Sequence, residues 1–186
     1  MILFINACVR PDSRTRHLAD RLLKRFEGEV REVALPLVRF PVDDNDFIEH
    51  RQERIERGDY TEPLFDYAKE FARADIIVIA APFWDLSFPA MLKQYLEQIC
   101  VNGITFCYED NMPKSLCLAK KLYYVTTAGG PVFSTDYGFG YVQSLAQTFF
   151  GIGECVLIKA EGLDVEGADV EAILQKAEEE IERIGR

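Results

Sequence analysis

Ile76-Ile77-Val78-Ile79-Ala80-Ala81-Pro82-Phe83-Trp84-Asp85-Leu86-Ser87-Phe88-Pro89-Ala90-Met91-Leu92-Lys93 is the most informative stretch of this 186-residue chain. Its first six residues are an unbroken apolar run, the pattern of a strand buried on both faces of a parallel sheet. Pro82 follows the run, Pro89 suits the first turn of a helix, and Leu92, Tyr95, Leu96 and Ile99 repeat at helical spacing behind it. The stretch therefore reads strand, loop, helix. Even extended to Trp84, the apolar segment is far shorter than the roughly 20 residues needed to cross a bilayer.

The alternation continues outward in both directions. Residues 2–6 form a second buried-strand candidate, followed by Leu18, Leu22, Leu23 and Phe26 on one helical face. Residues 29–34 read as a more exposed strand, and Pro63 opens a helix through Leu64, Tyr67, Ala68 and Phe71. Beyond the central stretch come a strand over 122–126, a helix over 141–150, a strand over 154–159 and an amphipathic helix over 165–184 with a solvated acidic face. Parallel strands need helix-length crossovers, so this order implies a sheet covered on both sides. Five such strands fit an α/β flavodoxin-like three-layer sandwich of order 2-1-3-4-5, one domain over residues 1–186.

Two stretches interrupt the alternation. Residues 37–59 carry many charges and few core signals, and read either as a cover over a site or partner subunit or as a mobile surface excursion. Residues 102–118 read as an insertion in which Ile104-Thr105-Phe106-Cys107-Tyr108 forms a small extra strand.

Composition narrows the function. A formal net charge of −10 and a pI near 4.8 argue against nucleic acid and anionic membranes as partners. Five cysteines without a C-x-x-C pair suggest neither a disulfide framework nor a metal site. Reduced thiols and the lack of a leader pattern point to a soluble, cytoplasmic protein.

Open parallel sheets bind ligands beyond the carboxyl ends of their strands, near the point where strand order reverses. Three loops are therefore decisive. The first runs Ala7-Cys8-Val9-Arg10-Pro11-Asp12-Ser13-Arg14-Thr15-Arg16. Free amides at a helix start, hydroxyls on Ser13 and Thr15 and the Arg14 guanidinium would hold a monophosphate; alternatively Asp12 or Ser13 only caps the helix. Arg10 reads either as a further anion contact or as a solvated surface group. Cys8 to Thr15 also satisfies the C-x5-R-[ST] pattern of phosphotyrosine phosphatases. Pro11, however, removes one amide from that loop, and the chain has no Asp-Pro pair to supply the general acid.

In the second loop Phe83 and Trp84, between Pro82 and Asp85-Leu86, either flank a flat heteroaromatic ring or pack beneath the loop. The third, Thr126-Thr127-Ala128-Gly129-Gly130, lets main-chain N–H groups approach a ligand closely or is an ordinary glycine turn. No G-x-G-x-x-G fingerprint is present. His17 and His50 read as surface residues rather than ligands. Phe133 and Tyr137 either shape a substrate space or pack within their own segment.

Together these loops resemble those of the flavodoxin-fold NAD(P)H-dependent oxidoreductases, which include FMN azoreductases and NAD(P)H:quinone oxidoreductases. Residues 81–93 match that family's strand, flavin loop and P-A-x-L-K helix start. Ser13-Arg14-Thr15 matches its S-x-[ST] phosphate loop and Thr127-Ala128-Gly129-Gly130 its S-R-G-G or T-T-G-G loop. Gly151-Ile152-Gly153 and Ala160-Glu161-Gly162-Leu163 resemble its closing motifs. The resemblance covers most of the chain outside the two interruptions.

It implies FMN, with FAD as the alternative, bound by its phosphate at Ser13, Arg14 and Thr15. Pro82, Phe83, Trp84, Asp85 and Leu86 would line the ring, with Thr126, Thr127, Ala128, Gly129 and Gly130 along its pyrimidine edge. Amide donors there would stabilise the negative charge that reduction brings to N1 and O2. Two electrons would pass from NAD(P)H through the flavin to a quinone, azo compound or similar acceptor near Phe133 and Tyr137, with Tyr137 a candidate proton donor. The resemblance also implies a homodimer. Two departures stand out: Asp85 replaces the usual Asn and cannot donate to the ring carbonyls, and Ala128 removes an arginine common among azoreductases. The alternatives are an electron-transfer flavoprotein without pyridine-nucleotide chemistry, a C-x5-R phosphatase, and a flavin-free protein-interaction domain.

Overall fold

The computed structural model describes residues 1–184. Its elements run β1 (Ile2–Asn6), α1 (Arg14–Leu23), β2 (Val30–Ala34), α2 (Asn45–Glu56), α3 (Asp66–Arg73), β3 (Ile76–Ala80), α4 (Ala90–Ile99), β4 (Phe106–Glu109), β5 (Met112–Ser115), β6 (Lys121–Thr127), α5 (Tyr141–Thr148), β7 (Glu154–Ala160) and α6 (Val170–Arg183). Five strands form one parallel sheet in the order β2-β1-β3-β6-β7. Setting aside the hairpin strands β4 and β5, this is the 2-1-3-4-5 arrangement expected from the sequence.

Burial follows position in the sheet. β1 is buried throughout and β3 almost so, whereas the edge strands β2 and β7 carry exposed positions. Successive side chains point to opposite faces, so each strand feeds two cores. Leu3, Ile5, Ile77, Ile79 and Tyr124 join Leu92, Tyr95 and Phe71 from α3 and α4 on one side. Phe4, Val78, Tyr123, Leu18 and Ile181 pack on the other, beneath α1 and α6. Each such side chain contributes roughly 1.5–3 kcal/mol on burial.

The helix starts are local chemistry. Ser13 caps α1 through its hydroxyl, Asp44 caps α2 by accepting from the Phe47 amide at 2.9 Å, and Asp169 caps α6 by accepting from Ala172 at 3.0 Å. Pro89 stands one residue before the first helical position of α4, and its carbonyl accepts from the Leu92 amide.

Several expectations need correction. The stretch over 37–59 contains α2, which has no fully buried residue; half-buried Ile55 packs against the Phe65 cluster, and polar contacts hold the rest. Arg51 donates to the Cys100 carbonyl at the end of α4 (2.9 Å), while Arg54 pairs with Asp59 and Glu62. The single extra strand read over 104–108 is an antiparallel hairpin of β4 and β5, turned by Asp110 and Asn111 at φ 51° and 61°. The last helix begins at Val170 rather than 165, because Gly167 at φ 79° breaks the chain before the Asp169 cap. The first helix ends at Leu23, leaving Phe26 outside it, packed on Tyr123. Among the described residues no helix is long and apolar enough to cross a membrane.

Candidate active site

Register fixes where the site can be. Asn6 lies beside Ala80, and Ala80 beside Val125, so the chain leaves three neighbouring strands at one edge of the sheet. The three loops meet there around a cleft of about 400 Å³, within the range of small-molecule and cofactor pockets. Ser13, Arg14, Thr15, Pro82, Phe83, Trp84, Thr127 and Gly129 line it, together with Val9, Arg10, Asp12 and Asp164.

The first wall is the start of α1. The Ser13 hydroxyl accepts from the Arg16 amide at 3.3 Å, so the capping role is real. It does not exclude an anion site. The Arg14 and Thr15 amides, which precede the first intrahelical bond, have no acceptor among the described residues. They stand with the positive end of the helix dipole at the cleft wall. Buried Thr15 shares a 2.6 Å hydrogen bond with the Thr127 hydroxyl, tying the first loop to the third.

Arg14 is held in place. It donates to the Leu163 carbonyl at 3.2 Å and pairs with Asp164 at 2.7 Å, while the Asp164 amide donates to the Gly129 carbonyl at 2.8 Å. A methyl group on Gly129 would run into the Asp164 carboxylate. Glycine is favoured there by contact rather than by backbone angle, since a side chain would have to displace the Arg14-paired carboxylate. Asp164 escapes the sequence reading because it lies one residue beyond the motif ending at Leu163.

The second wall is a strained turn. The amides and carbonyls of Trp84 and Ser87 bond each other at 3.0 and 2.8 Å, and Asp85 and Leu86 between them adopt φ 49° and 68°. A leucine at positive φ is unfavourable and persists only where its surroundings enforce it. The Phe83 amide donates to the Thr127 carbonyl at 3.0 Å, and the Ser87 hydroxyl donates to the Tyr137 carbonyl at 2.5 Å. That second bond anchors the turn to a single π-helical turn, Asp136–Gly140.

Of the remaining expected residues, Asp85 and Leu86 occupy the exposed turn tip and Gly130 is exposed. Ala128 and Thr126 are buried, and the Thr126 hydroxyl has no partner among the described residues. Phe133 and Tyr137 stand outside the cleft, 86% and 66% exposed, and Tyr137 borders a neighbouring depression with Asp136 and Tyr141. His17 and His50 pair with Glu178 and Glu62, away from the cleft.

The phosphatase geometry is missing. Cys8 is buried, its sulfur faces the Ala80 carbonyl at 3.8 Å, and burial pushes its thiol up. Arg14, the would-be phosphoryl clamp, is already paired with Asp164. Burial also pushes Cys100 up to about 11 and Cys117 up to about 12. Since the thiolate is the reactive form, Cys8 is expected to be alkylated by iodoacetamide at pH 7 more slowly than free cysteine. The rate should rise only at alkaline pH, and Cys8→Ser should leave cofactor binding unchanged within about twofold. Rapid labelling at neutral pH, followed by mass spectrometry, would contradict this account.

A family model described as flavodoxin-like fold matches residues 1–184. The chain is 35% identical to FMN-dependent NADH:quinone oxidoreductase 2 of Clostridium acetobutylicum, over 94% of this chain and 92% of that protein. It is also 35% identical to the FMN-dependent NADH:quinone oxidoreductase of Clostridium beijerinckii, over 95% and 93%. Among solved structures, an azoreductase from Bacillus anthracis superposes with a TM-score of 0.82 at 24% identity, covering 97% of this chain and 95% of that one. An FMN-dependent NADH-azoreductase from the same species, solved with FMN, gives 0.78 at 20% identity, covering 97% and 95%. These two superpositions speak for the fold.

Proposed function

The chain belongs to the flavodoxin-like fold family, and from that premise we propose that it is an FMN-dependent oxidoreductase carrying two electrons from a reduced nicotinamide to quinone, azo or similar acceptors. The observation that carries this reading is the convergence of Thr15, Trp84 and Gly129, from three separate loops, on one cleft. Sequence likeness to enzymes named for FMN, NADH and quinone supports it.

The residues present fit the cofactor. The amides of Arg14 and Thr15 and the Ser13 hydroxyl would receive the phosphate, while Asp164 keeps Arg14 at the same rim. Phe83 and Trp84 would offer aromatic surface to a flat ring, with Pro82 lining the same cleft. The close-fitting 127–130 loop, braced by bonds from Ala128 to Ala160 and from Leu163 to Ala128, offers fixed main-chain dipoles to the opposite side. Bound there, FMN supplies hydride acceptance and donation, which no side chain of this cleft provides. The protein positions, tunes and excludes water. Asp85 puts a carboxylate at the exposed tip of the turn next to Trp84, where it would disfavour added negative charge on a ring bound in the cleft.

Trp84 and Leu86 on the 84–87 turn, and Phe133 and Tyr137 on the segment that Ser87 bonds, are exposed apolar or aromatic side chains. A second copy of the chain covering these side chains would enclose the acceptor space, so we place the working form as a homodimer. Tyr137, tied through its backbone to Ser87 but outside the cleft of one chain, would serve as proton donor only if the second copy brings the acceptor against it.

The test is optical. Protein reconstituted with FMN should show the bound-flavin absorption and bleach within seconds when NADH is added anaerobically, with colour returning on addition of a quinone. A bound flavin that neither NADH nor NADPH bleaches would mark an electron carrier instead, and protein that stays colourless would overturn the cofactor itself.

A further inference from the structure

We propose that a second cleft beside the flavin cradle holds the adenosine diphosphate half of the reduced nicotinamide dinucleotide, with Arg10 gripping its pyrophosphate. The proposal rests on the oxidoreductase reading above. This cleft, about 510 Å³, opens on the other side of the loop after β1, toward the end of β2. Val9 and Arg10 line both clefts, so a short ridge of loop divides them. A dinucleotide with its nicotinamide in the first cleft would cross that ridge to place its other half in the second.

The charges of the second cleft single out Arg10. Arg16 is committed: it pairs with Asp20 at 2.8 Å and Glu32 at 2.6 Å, and its guanidinium lies over the Phe4 ring at 5.0 Å. Glu32 also accepts from the Asn6 side chain at 2.9 Å. Arg14, in the first cleft, pairs with Asp164. Among the described residues lining the two clefts, Arg10 is the basic side chain with no carboxylate partner, and its guanidinium makes no hydrogen bond within the described chain. In a protein of net charge −10, an uncommitted arginine on the ridge is where a crossing pyrophosphate finds a bidentate donor.

The far wall suits a nucleobase. Pro36 and Leu37 line it, and Leu37 is 82% exposed at the end of a short 3-10 turn. An adenine ring laid there removes apolar surface from water without a dedicated hydrogen-bond code. This arrangement also accounts for the missing G-x-G-x-x-G: one arginine and an apolar shelf replace the glycine-rich turn, as suits a co-substrate that must leave after every turnover.

The experiment uses FMN-loaded protein and two variants, Arg10→Ala and Leu37→Glu. ADP-ribose is the calorimetric probe. NADH and 1-benzyl-1,4-dihydronicotinamide, which carries no phosphate or adenine, are compared as hydride donors. In Arg10→Ala, ADP-ribose binding should weaken about tenfold and the KM for NADH rise about tenfold, as expected for loss of a charge-assisted contact. The benzyl analogue should respond less than twofold. Leu37→Glu should weaken ADP-ribose binding with the flavin still bound. Unchanged ADP-ribose affinity in both variants would overturn the proposal, as would equal losses with both donors. A tenfold loss of FMN affinity in Arg10→Ala would overturn it too, assigning that arginine to the flavin phosphate. Failure of both NADH and NADPH to bleach the unaltered protein is a separate result, and it removes the oxidoreductase reading itself.

Discussion

Ser13→Asp is expected to weaken FMN binding at least about a hundredfold while leaving the cofactor-free protein as stable as before. Aspartate is as good an N-cap as serine and interacts favourably with the helix dipole, so α1 keeps its start. The same carboxylate would stand where the phosphate must sit. Two like charges about 4 Å apart repel by roughly 4 kcal/mol at an effective dielectric near 20, and the phosphate carries more than one charge. Flavin-fluorescence titration reads the affinity and thermal melting of the cofactor-free protein reads the fold. Ser13→Ala gives the opposite pattern: loss of about 1 kcal/mol of stability through the missing cap, with only a few-fold change in affinity. If Ser13→Asp bound FMN as the unaltered protein does, the phosphate would lie elsewhere and the amides of Arg14 and Thr15 would need another role.

That the capping residue also lines the cleft explains why the first loop could be read two ways from sequence. The cap is observed, and the position of Thr15 against Thr127 shows that the capped helix also faces a cleft, where the proposed phosphate site would lie. The central sheet was legible because β1 and β3 are apolar at nearly every position, a consequence of burial on two faces. α2 was not legible as a helix. Its stability comes from the Asp44 cap, the Asn45–Glu49 contact and the Arg54 ion pairs, none of which leaves an apolar period. The second strand of the hairpin carried a signal that was passed over: Asp110-Asn111, a pair tolerant of positive φ. The turn at Asp85-Leu86 had none, since leucine is not a turn residue at such angles. Its geometry is imposed by the Trp84–Ser87 bonds and the Ser87 contact with Tyr137. Asp164 was invisible for a similar reason. Its partner Arg14 is 150 residues away, and no local spacing announces the pair.

Phe71→Ala should do the reverse of Ser13→Asp: lower stability by about 3–5 kcal/mol and leave the cleft's affinity for FMN nearly unchanged. Phe71 is fully buried on α3, its ring 4.7 Å from that of Phe150, just before the start of β3. Phe150 precedes β7, so both rings pack at the amino-terminal edge of the sheet, whereas the cleft is at the carboxyl-terminal edge. Truncation leaves a cavity that the rigid parallel scaffold cannot fully close. Binding and folding remain linked through mass action, so free FMN at 100 times its dissociation constant should return about 2.7 kcal/mol to the variant. Urea unfolding at several FMN concentrations reads both quantities at once. The expected result is a shifted midpoint with an unchanged FMN-dependent increment. A loss of that increment would mean that packing at one edge of the sheet sets loop geometry at the other, and that the cleft is not held by its own local bonds among Thr15, Thr127, Gly129 and Asp164.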